Sequence, residues 1–340
     1  MPLIIDYRSD TVTRPTPAML EAMFTAKVGD DVLGEDPSVQ LLEQKAAAMF
    51  GMEAGLFCPS GTMTNQIAIK VHTQPGDEVI CDALSHIYLY EGGGIAFNSG
   101  ASVRLLQGNN GRITAQQVAG AINPNDVHKP QTTLVSLENT SNRGGGSCYT
   151  LDDLQAIHAI CHQNQLKLHL DGARLFNALV ATGQQAETYG KTFNSISICL
   201  SKGLGTPVGS VLLGTESFIA KARRIRKVLG GGMRQAGYLA AAGIYALDHH
   251  VKRLALDHEH AKTIAAALQK KDFVAEMMPV ETNIIIFEVK GRFTPKSLAA
   301  KLEEKHIKVM PISPTQVRMV LHLDIHTTMV DYTLETLEEL

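Results

Sequence analysis

Short apolar runs, each bounded by polar turn residues, recur through the first two thirds of the chain. Val79-Ile80-Cys81, Val103-Arg104-Leu105-Leu106, Thr133-Leu134-Val135-Ser136-Leu137, Leu166-Lys167-Leu168-His169-Leu170 and Ser195-Ile196-Ser197-Ile198-Cys199-Leu200 read as buried strands. Gly55-Leu56-Phe57-Cys58 has the same texture. Residues 151–162 and 174–182 carry helical periodicity, and Gln74-Pro75-Gly76-Asp77 and Asn123-Pro124-Asn125-Asp126 mark turns. Strand and helix in alternation predict an α/β fold, a mostly parallel sheet flanked by helices. Ligands of such sheets bind beyond the carboxyl ends of the strands. The texture changes after Gly230-Gly231-Gly232. A long helical stretch is predicted over 235–269, then a strand at 283–289, a helix at 295–305, a strand at 317–323 and a last helix. This predicts a large domain over 1–245, including the N-terminal segment, and a small C-terminal α+β domain over 246–340.

A chain of 340 residues, 44% hydrophobic and 19% charged, is of a size to bury such a core and a smaller satellite. A net charge of −3 offers no electrostatic case for nucleic acid or an anionic membrane as partner. The basic cluster Lys221, Arg223, Arg224, Arg226, Lys227 reads as a solvated helix face. Cys58, Cys81, Cys148, Cys161 and Cys199 are odd in number and widely spaced, without zinc-ligand spacing, which points to a reducing compartment. The stretch Met1-Pro2-Leu3-Ile4-Ile5-Asp6 lacks the basic and apolar regions of a signal peptide, and no apolar run is long enough to span a bilayer. A cytoplasmic location is therefore expected.

Four features fall where strands end. Lys202, in Leu200-Ser201-Lys202-Gly203-Leu204-Gly205, follows a buried strand. Its bland reading is a solvated loop lysine; its chemical reading is a desolvated amine able to form a Schiff base. Asp171, in His169-Leu170-Asp171-Gly172-Ala173-Arg174, reads either as a helix cap or as a carboxylate paired with a cofactor's pyridinium nitrogen. Pro59-Ser60-Gly61-Thr62-Met63-Thr64-Asn65 opens a helix whose free amides suit a phosphate, though ordinary caps look alike. His86, in Ser85-His86-Ile87-Tyr88, is either a structural histidine or a ring stacked on a flat cofactor. The histidines of Asp248-His249-His250 and Asp257-His258-Glu259-His260 read as surface residues, since His258 and His260 fall on different helix faces, and no metal site is expected. No Gly-x-Gly-x-x-Gly follows the first strand, and Gly144-Gly145-Gly146 reads as a flexible loop.

Phosphate cap, histidine, strand-end aspartate and strand-end lysine stand in the order of fold-type I pyridoxal-phosphate (PLP) enzymes. Longer motifs narrow the match. Residues 5–13 (IDYRSDTVT), 28–32 (VGDDV), 34–37 (GEDP), 136–140 (SLENT), 169–174 (HLDGAR), 199–210 (CLSKGLGTPVGS) and 230–237 (GGGMRQAG) resemble the threonine aldolase family. The similarity runs from about residue 4 to the end and weakens after about 260. It implies the fold-type I architecture with a seven-stranded sheet, and PLP held by Lys202 as a Schiff base. Asp171 would pair with the pyridine nitrogen, Arg174 would hold cofactor and substrate, and Ser60, Gly61 and Thr62 would bind the phosphate. His86 would stack on the ring, and Ser9 and Arg318 would hold the substrate carboxylate. Lys227 and Arg234 would complete a site across a subunit interface, in a tetramer built from dimers.

The implied reaction is cleavage of L-threonine, L-allo-threonine and related β-hydroxy-α-amino acids to glycine and an aldehyde, with His86 or a bound water as the base. Two positions depart from the family pattern. Ser141, in Glu138-Asn139-Thr140-Ser141-Asn142, stands where the family commonly has a histidine, and Leu33 where it often has a tyrosine. If both face the substrate, the pocket is roomier and admits bulkier side chains such as that of phenylserine. β-Elimination, racemisation and hydroxymethyl transfer use the same Lys and Asp, and a non-catalytic relative that bound no cofactor would be colourless.

Overall fold

A computed structural model of the protein describes residues 4–340. Met1-Pro2-Leu3, part of the stretch read above for a signal peptide, lies outside the described residues. Among the described residues the strands are β1 Ile5–Asp6, β2 Ala54–Cys58, β3 Glu78–Asp82, β4 Ser102–Leu106, β5 Thr132–Glu138, β6 Lys167–Gly172, β7 Ser195–Cys199 and β8 Ser210–Gly214. They continue with β9 Val274–Met277, β10 Ile284–Val289, β11 Ile307–Lys308, β12 Met310–Pro311 and β13 Gln316–Val320. β2 to β8 form one seven-stranded sheet in the order β2-β8-β7-β6-β5-β3-β4. This is the α/β sheet that the alternation predicts, parallel except for β8.

β8 is absent from the sequence reading. It returns from β7 through a short turn that pairs Cys199 with Ser210, too few residues for a crossover helix, so it must run antiparallel. Because β8 reverses direction between β7 and β2, β2 again points the same way as β7. The carboxyl ends of β2, β3, β5, β6 and β7 thus share one edge of the sheet.

Neighbouring residues on a strand point to opposite faces, and the packing follows. Phe57, Val211 and Leu213 enter the main core with Leu42, Phe50 and Ile198. Leu56, Cys58 and Leu212 pack on the other face with Ile67 and Phe218. The helices begin where capping chemistry allows. Ser60, Thr150 and Thr215 each accept a hydrogen bond from the amide three residues on. Pro17, Pro37 and Pro295 occupy first turns.

A second core surrounds the antiparallel sheet β12-β13-β10-β9, with Ile264, Phe273, Ile285, Phe287 and Leu298. Ile5 and Tyr7 belong to it, because β1 pairs with β11. The expected division after residue 245 runs through the helix Gly237–His249, whose Ala240, Ala242 and Ala246 pack into the first core. The stretch predicted as one helix over 235–269 is two, Gly237–His249 and Leu254–Leu268. The break falls beside the first core, where His250 is anchored by Nδ1 to the Leu204 carbonyl at 2.7 Å; Leu254 still packs there, and by Ala261 the chain has passed into the second core.

The histidines of this region correct the surface reading. His250, His258 and His260 are buried. His258 Nε2 meets Asn177 Oδ1 at 2.9 Å, and His260 Nε2 meets Thr327 Oγ1 at 3.3 Å. The helix Leu254–Leu268 is sandwiched between neighbouring helices, so both of these faces are covered. The Gly144-Gly145-Gly146 segment is likewise no flexible loop. It is buried, and a Cβ on Gly144 would lie 1.9 Å from the Asn110 carbonyl oxygen.

Gly190, in the helix Ala186–Thr192, shows how closely the layers approach: a Cβ there would lie 1.8 Å from the Phe50 carbonyl oxygen. Alanine is favoured over glycine in a helix by about 1 kcal/mol. Gly190→Ala should nonetheless lower the melting temperature, because overpacking against a backbone atom costs roughly 1–3 kcal/mol or more. Thermal denaturation followed by circular dichroism checks this; a raised Tm would refute it.

Candidate active site

The shared strand edge gathers the expected residues. Past β2, Ser60 caps the helix Gly61–His72, its Oγ accepting from the Met63 amide at 3.2 Å. Gly61 permits the approach of this helix to β7: a Cβ would stand 2.4 Å from Cys199 Sγ. Thr64 Oγ1 bonds Ser197 Oγ at 2.6 Å and holds the helix to the sheet. Ser60 and Thr62 are exposed at this helix start, where free amides favour an anion.

Asp171 lies buried at the end of β6. Its Oδ1 accepts from the Ala173 amide at 3.1 Å and its Oδ2 from Asn65 Nδ2 at 2.9 Å. The same Asn65 Nδ2 also donates to Glu91 Oε1 at 2.9 Å, and Gln66 Nε2 donates to Glu91 Oε2 at 2.6 Å. Asn65 is itself oriented by His169, whose Nε2 donates to Asn65 Oδ1 at 3.2 Å. Burial holds the His169 pKa down to about 4, so the ring is neutral at neutral pH.

His86, just past β3, places Nδ1 3.0 Å from Glu91 Oε1. Burial opposes charge on this ring. The Glu91 hydrogen bond and the Asp171 and Glu91 carboxylates outweigh it, and the His86 pKa rises above the ordinary histidine value. A ring nitrogen of His86 and oxygens of Glu91 and Asp171 lie within 4.8 Å of one another; Asn65 already bridges the two carboxylates.

Lys202 follows β7, half-buried, its carbonyl accepting from Thr13 Oγ1 at 3.0 Å. Its charge is felt at both Asp10 and His86. Arg174 is buried, with Nε and Nη2 each 2.7 Å from an Asp10 carboxylate oxygen, which leaves Nη1 for any ligand. Ser9 Oγ accepts from the Thr11 amide at 3.3 Å and Thr11 Oγ1 at 2.9 Å and so caps the turn that carries Asp10.

Arg318, on β13, comes from the second core. Its Nη1 donates to Asn142 Oδ1 at 2.8 Å and its Nη2 to the Arg8 carbonyl at 3.0 Å. Its Nε is buried with no partner among the described residues. Burial, then the nearby Arg174 charge, lowers its pKa to about 10, so it stays charged at neutral pH.

Other expected residues stand apart. The Ser141 side chain is buried within its own turn, its Oγ accepting from the Gly144 amide at 3.2 Å and packing under Gly111. Leu33 is exposed. Lys227 and Arg234 are also exposed, and Arg234 Nη1 pairs with Asp30 Oδ2 at 2.8 Å. Lys227 borders a hollow of about 490 Å³ with Val32, Arg223, Arg224, Arg226 and Gly232. Arg226 corrects the reading of this cluster as surface charge: it is buried, donating to the Phe57 carbonyl at 2.7 Å and paired with Asp31 at 2.8 Å. Asp10, Asn65, Glu91 and Glu138 escaped the sequence reading as site residues. Asp10, Asn65 and Glu138 lie within motifs and Glu91 lies just past one, but nothing in residue type or spacing sets a buried carboxylate or amide apart from an exposed one.

PLP is the group that the expected residues imply, and the donor set fits it. There is a strand-end lysine, a buried carboxylate fixed by Asn65, a glycine cradle at a helix start, and a buried guanidinium nitrogen without a partner.

The sequence model of the beta-eliminating lyase family matches residues 6–292. Low-specificity L-threonine aldolase 1 of Arabidopsis thaliana is 43% identical over 342 residues, covering 98% of this chain and 96% of that protein. The low specificity L-threonine aldolase of Escherichia coli K12 is 43% identical over 323 residues, covering 95% of each. Among solved structures, a threonine aldolase from Leishmania major superposes with a TM-score of 0.86 at 21% identity, over 98% of this chain and 99% of that one, a likeness of fold.

The Asp10–Arg174 pair supports both site and stability. Burial alone would raise the Asp10 pKa, but Arg174 pulls it down to about 2. Since the folded value lies below the unfolded one of about 3.9, the contribution is complete above roughly pH 4. It is lost as pH falls toward the folded pKa. Asp10→Asn leaves Arg174 buried without its partner and should cost about 3–5 kcal/mol at neutral pH. Urea unfolding at pH 7 and at pH 3 checks this, with a smaller difference between wild type and variant expected at pH 3.

Proposed function

The chain belongs to the L-threonine aldolase family, and from that premise we propose that its strand-edge site splits L-threonine and L-allo-threonine into glycine and an aldehyde. Related β-hydroxy-α-amino acids are substrates of the same site, although the roomier pocket expected for bulky ones such as L-phenylserine finds no support in Ser141, turned into its own loop, or in the exposed Leu33. Arg318 carries the reading: its unpartnered buried Nε is the donor that a substrate carboxylate would take up, and a guanidinium suits a carboxylate. Arg174 and Ser9 would share that task, tied together through Asp10 and its turn.

PLP, when bound, supplies an electron-poor ring that takes up the electrons of the broken Cα–Cβ bond. Lys202 would hold it through Nζ, Asp171 would accept its pyridinium N–H, and the amides at Ser60, Gly61 and Thr62 would face its phosphate. The His86 ring would stack on it. Asn65 keeps Asp171 in place by direct hydrogen bonding, so this carboxylate does not swing away.

His86 moves the proton. Its Nδ1–H donates to Glu91 Oε1, which leaves the Nε2 lone pair to take the β-hydroxyl proton, directly or through a water. Ser141 is turned into its own loop toward Gly144 and supplies no second imidazole.

The site is completed by a second copy of the chain, in a homotetramer built from dimers. Lys227 and Arg234 would complete the neighbour's site across the interface, Lys227 toward its substrate and Arg234 toward its cofactor. The exposed Phe24, Leu33 and Val228 give apolar area of the kind subunit contacts cover. We place the protein in the cytoplasm: all five cysteines are buried and unpaired, and no helix among the described residues is long and apolar enough to cross a membrane.

The purified protein should be yellow and should release aldehyde from L-threonine, L-allo-threonine or L-phenylserine, and Lys202→Ala should abolish release. A yellow protein that releases none of these aldehydes would shift the reading to β-elimination or another reaction of the same carboxylate and lysine. Glu91→Gln removes the charge that raises the His86 pKa. Because neutral His86 is the base, the acid limb of kcat/KM against pH should move to lower pH; an unmoved limb would take His86 out of that role.

A further inference from the structure

Glu138 has no part in the chemistry above, yet it lies at the centre of the site. It ends β5 directly beside Asp171 of β6, its register partner, and is buried. It enters no ion pair among the described residues. Burial and the Asp171 charge both work against its ionised form, and its pKa is raised. A neutral side chain would avoid that conflict.

The backbone shows what the carboxylate supplies. Oε2 accepts from the amide of His86 at 2.9 Å, and Oε1 accepts from the amide of Asn142 at 2.8 Å. The two amides belong to different loops, one after β3 and one after β5. The first carries the His86 ring. The second carries Asn142, whose Oδ1 holds Arg318 Nη1 at 2.8 Å. Only a carboxylate presents two acceptor oxygens in this geometry; a glutamine would meet one of the amides with its own N–H groups.

We propose that Glu138 is a positioning residue that ties His86 to the Asn142–Arg318 clamp, so that the substrate's hydroxyl and carboxylate are met at one set spacing. This rests on the aldolase reading for its kinetic consequence, though not for its structural one. An Arg318 without Asn142 keeps the Arg8 carbonyl as a partner, so the clamp loosens rather than disappears. Losing the Asn142 link weakens substrate binding, whereas losing the His86 link weakens proton transfer.

The test uses Glu138→Gln, Asn142→Ala and the double variant. Hydrogen–deuterium exchange on the enzyme as isolated should quicken in both segments 83–90 and 140–147 for Glu138→Gln. In the Asn142→Ala enzyme the loop after β3 should keep wild-type protection. In kinetics, Asn142→Ala should raise KM for L-threonine about tenfold with kcat within about threefold. Glu138→Gln should raise KM by a similar factor and also lower kcat. The double variant should show a KM no higher than Glu138→Gln alone, since both remove one link.

Wild-type exchange in both segments of Glu138→Gln, or KM effects that multiply in the double variant, would overturn the proposal. Should Glu138→Gln not fold, an unchanged KM in Asn142→Ala would overturn it and a tenfold rise with unchanged kcat would support it. A wild type that releases no aldehyde would end the aldolase reading, and the exchange pattern alone would then decide the positioning role.

Discussion

The site is organised around three buried carboxylates at one sheet edge. Asp171 and Glu138 stand side by side as register partners on β6 and β5, and Glu91 reaches the same place from the loop after β3. Buried like charges are costly unless each finds donors. Asn65 serves two of them at once, with Ala173 completing Asp171 and Gln66 completing Glu91. Glu138 is served only by backbone amides. Because the donors come from four segments, meeting these demands brings the helix Gly61–His72 and the loops after β3, β5 and β6 into one arrangement.

The same constraint reaches the second core. Arg174 is buried only because Asp10 meets it with two hydrogen bonds, and Asp10 arrives on the N-terminal segment that follows β1. That segment is anchored in the small sheet through β11 and through Tyr7, whose hydroxyl bonds Thr333 at 2.9 Å. Arg318 arrives from β13 of that sheet. The part of the site proposed for the substrate is thus assembled from both ends of the chain, and the part proposed for the cofactor from its middle.

Where the sequence misled, the cause was local pattern applied to a packed setting. The pair His258 and His260 falls on two helix faces, which suggests solvent for at least one, but helices cover both. Arg226 sits in a run of basic residues, yet it is buried, turned inward to Asp31 and the Phe57 carbonyl. Ser141 occupies a position where chemistry was expected, and the tight turn at Gly144–Gly146 draws its hydroxyl away.

By itself the sequence determined the alternation of strands and helices and singled out Lys202, Asp171, His86 and the Ser60–Thr62 cap as candidates at strand ends. Those features are local: hydrophobic period, cap residues and motif order are all written in neighbouring positions. The antiparallel β8, the break at His250, the return of Ile5 and Tyr7 to the second core and the roles of Asn65, Glu91, Glu138 and Asp10 were decided only by tertiary structure. Most depend on partners far away in the chain, as Asn65 does on Asp171 and Asp10 on Arg174. Burial, which turns an ordinary carboxylate or amide into an organising one, is a property of the packed whole rather than of any segment.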